Sequence, residues 1–264
     1  MKHRVHLSDE KAASRRGRLG LISFLSLLLL FLSFSFGLLF SCGVSREAQL
    51  PSFSLDNEVR REWTRLSSTS IDSLKQLYGS NKEFINDFLE PALIALSYFP
   101  DLADETIVFR YSSEATTMAA RPVVSSLLGK RRYEVLINNS PTFDGILLRD
   151  VPFNAQIGVI GHELAHIAEY RRLNISGMIG TLLRYVGSRS KVLFEKETDL
   201  ATIERGLGWQ LYDWAQYAMY DSSKASPSYK EFKRETYMKP SDIELQIRHF
   251  ARYAGVTQMV EVEP

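Results

Sequence analysis

The chain is expected to fold as an α+β domain, predominantly helical, with a small β-sheet beside one buried helix. Three observations carry that expectation. Apolar residues recur at helical spacing over most of the chain after residue 55. Only two short segments, Thr106–Tyr111 and Arg132–Asn138, are rich in β-branched and aromatic residues. Between the second of these and residue 173 lies a stretch whose core, Val159–Ala168, is almost free of charge, as a helix buried on all sides requires.

Taken in order, Asp56–Tyr78 carries Val59, Trp63 and Leu66, and Asn81–Tyr98 carries Phe84, Ile85, Phe88, Leu89 and Leu93, both at helical spacing. Pro91 is expected to kink or divide the second helix, because it lacks an N–H and clashes with the preceding turn. The two strands follow, with Tyr133, Val135 and Ile137 alternating onto one face. The Ser/Thr/Ala-rich segment between them is expected to be a loop, and Asn139–Asp150 a turn-rich connector. Pro152 to about Arg172 reads as a helix capped by Asn154. Leu173–Gly187 is apolar and punctuated by glycine. It fits either a helix against the core or a lip that leans on a membrane. Ser188–Arg205 is a helix ended by Gly206-Leu207-Gly208. Trp209–Tyr220 is aromatic-rich, at a near-helical spacing that suits packing better than a carbohydrate platform. Ser228–Met238 and Ser241–Tyr253 are two further helices, the last opened by Pro240 and capped by Ser241.

With 264 residues, 45% of them hydrophobic, the chain can bury a sizeable core. Its 32 basic and 31 acidic residues give a net charge of +1, and nothing in that balance suggests nucleic acid or a strongly acidic substrate. A single cysteine, Cys42, excludes an intramolecular disulfide and a cysteine-based zinc site.

Residues 1–18 hold Lys2, Arg4, Lys11, Arg15, Arg16 and Arg18 against Asp9 and Glu10, and Leu19–Phe40 has no charge. That run is long enough to cross a bilayer, and its basic flank directs residues 43–264 outward. Leu39-Phe40-Ser41-Cys42 resembles a bacterial lipobox, with Phe40 where a small residue or Val is usual. The resemblance implies lipidation at Cys42; the alternative is an uncleaved signal anchor. Either way residues 1–42 are a signal peptide or membrane anchor and 43–55 a tether. Residues 56–264 form the domain, at the outer face of a membrane in a bacterial cell envelope, periplasmic or surface-exposed.

The chemistry is concentrated in His162-Glu163-Leu164-Ala165-His166. Residues four apart share a helix face, so both imidazoles can reach one metal ion, while Glu163 sits beside them where it can meet an activated water. That is the arrangement a zinc hydrolase needs, with the metal lowering the water's pKa to about 7 and a carboxylate taking its proton. A third protein ligand is then required. Position 172 is Arg, which excludes a third histidine six residues after the second. Glu195 is the better candidate, with Glu197, Glu169 and His249 as alternatives. Glu195 and Asp199 are four apart on one helix, so one carboxylate can ligate while the other holds an imidazole by its free N–H. His249, Tyr237 and Arg205 are candidate donors to a developing oxyanion.

With these residues in view, the chain resembles the gluzincin zinc metallopeptidases, and within them the prenyl-protein (CaaX) peptidase and its bacterial mini-gluzincin relatives. Gly161–His166 and Glu195–Asp199 carry the resemblance, with Thr198 where Ala is usual. It spans about residues 105–206 and is specific at the two motifs. It implies a zincin-like fold with one zinc ion on His162, His166 and Glu195, and Glu163 as general base. It further implies that Tyr133–Asn138 is the edge strand, pairing with an extended peptide or protein substrate. Two other functions are compatible with the same residues. One is a non-catalytic zinc-binding surface lipoprotein; the other is a zinc amide hydrolase acting on cell-wall peptides. Glu163→Gln separates an enzyme, which it disables, from a binding module, which it leaves intact.

Overall fold

The computed structural model describes residues 62–250 apart from Leu128 and Val186. The leader, Cys42, the tether and the start of the first expected helix therefore lie outside the described residues. Eight α-helices and four strands follow one another within them: α1 (Ser68–Tyr78), β1 (Lys82–Glu83), α2 (Leu89–Ser97), β2 (Thr106–Ser112), β3 (Met118–Pro122), β4 (Arg132–Asn138), α3 (Phe153–Arg172), α4 (Ile175–Arg184), α5 (Ser188–Thr202), α6 (Gly208–Gln216), α7 (Pro227–Thr236) and α8 (Pro240–Ile247). The domain is mostly helical with one small mixed sheet, in keeping with the α+β expectation.

The sheet order is β1-β2-β4-β3, with β1, β2 and β4 parallel and β3 antiparallel to β4. Ile107, Phe109, Tyr133, Val135 and Ile137 are all buried. Elsewhere on the sheet Glu134 receives two bonds from Arg110, each 3.0 Å, and one from Arg121 at 3.3 Å, tying three strands together. This order corrects the expected role of residues 133–138. They form an interior strand, and the edge is Met118–Pro122, which packs along α3. Met-Ala-Ala-Arg-Pro holds no β-branched residue, so nothing in its composition marks a strand. Pro122 can end it because an edge strand has unpaired positions.

Helix boundaries differ from expectation where side chains satisfy backbone groups in other ways. Helix α1 begins at Ser68, capped by Ser67, whose Oγ accepts from Ser70 N–H at 3.2 Å. Trp63 precedes it and leans on Tyr98 instead. Pro91 neither kinks nor divides a helix: α2 starts at Leu89, so Pro91 falls in the first turn, where no N–H is required. Asn154 does not cap α3. Pro152 holds that position, and Asn154 accepts from Trp63 N–H and Gln210 Nε2–H while donating to Asp213. Ser241 likewise lies inside α8; Lys239 is the capping position, its N–H bonded to the Asp242 carboxylate at 3.2 Å.

Helix α3 is buried from Ala155 to Ala168 and runs through the middle of the domain, against α2, α6, α5 and β3. It meets α6 backbone to backbone. A Cβ at Gly158 would stand 2.1 Å from the Gln210 carbonyl oxygen. The chain reverses out of α5 through Gly206, whose φ of 104° is left-handed and suits glycine. Trp209 and Trp214 are buried, so the aromatic run of α6 does serve the core.

A candidate metal centre

One face of α3 presents His162 and His166 with ring centroids 4.8 Å apart. Helix α5 crosses opposite and brings Glu195 between them. Its Oε2 stands 3.2 Å from His162 Nε2 and 3.3 Å from His166 Nε2. The ligand atoms of these three residues lie within 4.8 Å of one another, and each residue is 4% exposed or less. Such a cluster of two imidazole nitrogens and a carboxylate oxygen can hold a metal ion.

The other ring nitrogens are held from behind. His162 Nδ1–H donates to Asp199 Oδ1 at 2.8 Å, and Asp199 Oδ2 accepts from Met238 N–H at 2.9 Å. Thr198 Oγ1 donates to the Phe194 carbonyl and stands 3.2 Å from His166 Nδ1, from which it accepts. Both imidazoles are thereby fixed in the tautomer that turns Nε2 towards Glu195. Tyr170 lies parallel to the His166 ring and Phe194 closes the other approach, so this end of the site is apolar.

Electrostatics follow from the burial. Desolvation alone would lower the His162 pKa, but hydrogen bonds to Asp199 and Glu195 push it up to about 10. Desolvation would raise Glu195, yet hydrogen bonds from His162 and His166 hold its carboxyl well below the usual carboxylate range. Glu163, 5% exposed on the same turn as His162, makes no side-chain hydrogen bond among the described residues. Burial pushes its pKa up, opposed by the positive charges of His162, His166 and Lys233.

The remaining candidates separate clearly. Glu197 is turned outward and paired with Arg184 at 2.7 Å. Glu169 is exposed and, with Glu197, lines a cavity of about 180 Å³ between α3 and α5 to which none of His162, His166 and Glu195 contributes. His249 is not part of the convergent group. Arg205 is paired with Asp101 and stacks over Phe99, 4.8 Å from the ring centroid. Tyr237 is the donor candidate that reaches the centre: its ring is 5.6 Å from that of His162.

Two residues that sequence reasoning did not assign also belong here. Thr198 holds His166. Lys233, 5% exposed, lies among four aromatic rings, 4.2 Å from Tyr237, 5.4 Å from Tyr229, 5.5 Å from Trp214 and 5.8 Å from Phe232. A lysine in a charged helix gives no sign of such a site.

Comparison with protein-family models, with curated proteins and with solved structures found no match for the chain.

Proposed function

We propose that the chain is a membrane-tethered, extracytoplasmic zinc metallopeptidase of gluzincin type. The observation that carries this reading is the convergence of His162, His166 and Glu195 on one buried point, with Glu163 beside His162 on the same turn. Two histidines and a glutamate are a donor set of catalytic zinc sites, which leave a position open for water. When bound, zinc supplies Lewis acidity, lowering the pKa of a water to about 7 and polarising a carbonyl.

The chain's own residues then have distinct tasks. Glu163 accepts the proton of the attacking water and delivers it to the leaving amine nitrogen. Its burial raises its basicity towards the working pH, which suits both transfers. Tyr237 donates its hydroxyl proton in a hydrogen bond to the carbonyl oxygen as negative charge develops there. Burial and the nearby carboxylates push the Tyr237 pKa well up, so the phenol stays protonated and able to donate. The Lys233 ammonium over its ring makes that hydroxyl a stronger donor. Asp199 and Thr198 keep the imidazoles aimed. An extended peptide adds to the free edge of β3 by backbone hydrogen bonds, the role first expected of residues 133–138.

The test is cleavage of a diverse peptide mixture by the zinc-loaded full chain, read by mass spectrometry, beside Glu163→Gln. Expected is a loss of at least about 100-fold in cleavage with zinc retained, the scale of a general base. Equal cleavage by both proteins would remove Glu163 as the base, and none by either with zinc bound would leave a metal-binding module in place of a peptidase.

A further inference from the structure

Among the described helices, α4 stands apart in what it exposes. Met178 and Thr181 face the domain and are buried. Ile175, Ile179 and Leu183, spaced four apart, form an outward apolar ridge and are 41%, 44% and 49% exposed. The ridge is flanked in sequence by basic residues, of which Arg171 is paired with Glu105 and Arg184 with Glu197. From Tyr170 to Phe194 the chain carries Arg171, Arg172, Arg184, Arg189 and Lys191 and not one Asp or Glu. Isolated exposed leucines are ordinary on soluble proteins, whereas an aligned apolar ridge bordered by cations is how a helix is built to lie at a lipid interface. Ten residues give about 15 Å of helix, half the hydrocarbon thickness, so α4 cannot span a bilayer. Among the described residues no helix is long and apolar enough to cross a membrane.

We propose that α4 rests on an anionic lipid bilayer, with Ile175, Ile179 and Leu183 entering the acyl boundary and the basic residues meeting lipid phosphates. Charge decides between the occupants. A second copy pairing through the same ridge would bring two sets of Arg172, Arg189 and Lys191 together, the three cations of the segment with no ion pair among the described residues, which opposes association. An anionic surface takes them favourably. The uncharged Leu19–Phe40 stretch of the same chain has the composition to enter a bilayer, and that tethering keeps lipid at a high local concentration. The proposal does not depend on zinc or on peptidase activity.

The test uses the full chain with Cys42→Ser as background and one bimane-labelled cysteine at a time, at Ile179→Cys, Leu183→Cys or, as control, Leu77→Cys on α1. Leu77 is 62% exposed on another helix, and all three positions tolerate a small side chain at the surface. The proteins are reconstituted into phosphatidylglycerol–phosphatidylcholine vesicles whose acyl chains carry bromine. Expected is quenching at 179 and 183 several-fold stronger than at 77, reduced when Arg172, Arg189 and Lys191 are changed to Glu. Quenching at 179 and 183 no stronger than at 77 overturns the proposal. So does a bimane shift at 179 that grows with protein concentration in detergent without any bilayer, which identifies a second copy as the occupant.

Discussion

Asp199 does two jobs with its two oxygens: one fixes the His162 ring and the other ties α5 to the backbone of Met238. Asp199→Asn keeps the shape but removes the charge that favours Nδ1–H on His162. Partners of this kind are worth about 10- to 100-fold in metal affinity, so zinc binding measured by competition with a chelating dye is expected to weaken by that factor. An unchanged affinity would mean that His162 is oriented by packing alone. The residues of this centre were largely legible in the sequence because metal ligation admits few residue types and helical spacing fixes where they fall. His162, His166, Glu195 and Asp199 stand where two four-residue spacings place them. Tyr237 and Lys233 were not legible in the same way. Their approach to the centre is set by how α7 docks, and no local pattern encodes that.

At the scale of elements, the closest constraint is the crossing of α3 and α6 at Gly158. A methyl there meets the backbone of Gln210, which cannot rotate away as a side chain would. Gly158→Ala is expected to lower stability by about 1–3 kcal/mol, the scale of overpacking, read as a fall in urea midpoint without a change in slope. A midpoint equal to that of the parent protein would show that the two helices slide apart freely. The edge strand β3 teaches a related lesson about what a sequence reveals. Its five residues have weak strand propensity, and what makes them a strand is pairing with β4 along one edge and packing against α3. Helix ends were misplaced for a similar reason. Asn154, a good capping residue by type, is drawn instead to Trp63, Gln210 and Asp213, partners that only the folded chain provides.

For the whole molecule, the centre couples metal binding to stability and to pH. In the metal-free fold the His162 pKa lies at about 10, above its ordinary 6.5. The stability that this charged imidazole contributes is therefore complete below about pH 6.5 and declines as pH rises towards 10. A metal ion held by His162 would take the place of that proton, so the loaded fold would lack this dependence and affinity would rise with pH. The melting temperature of the zinc-loaded chain is thus expected to exceed that of the chelator-stripped chain by more at pH 9 than at pH 6.5. A difference that shrinks with pH would remove His162 from the ligand set.

The central claim is that His162, His166 and Glu195 form a zinc site, and metal content tests it most directly. The full chain, purified without added chelator, is analysed by mass spectrometry of its metals beside Glu195→Ala at matched circular dichroism. Close to one zinc per chain is expected, lost or sharply reduced in the variant. No zinc in either protein after reconstitution, or the same zinc in both, would contradict it.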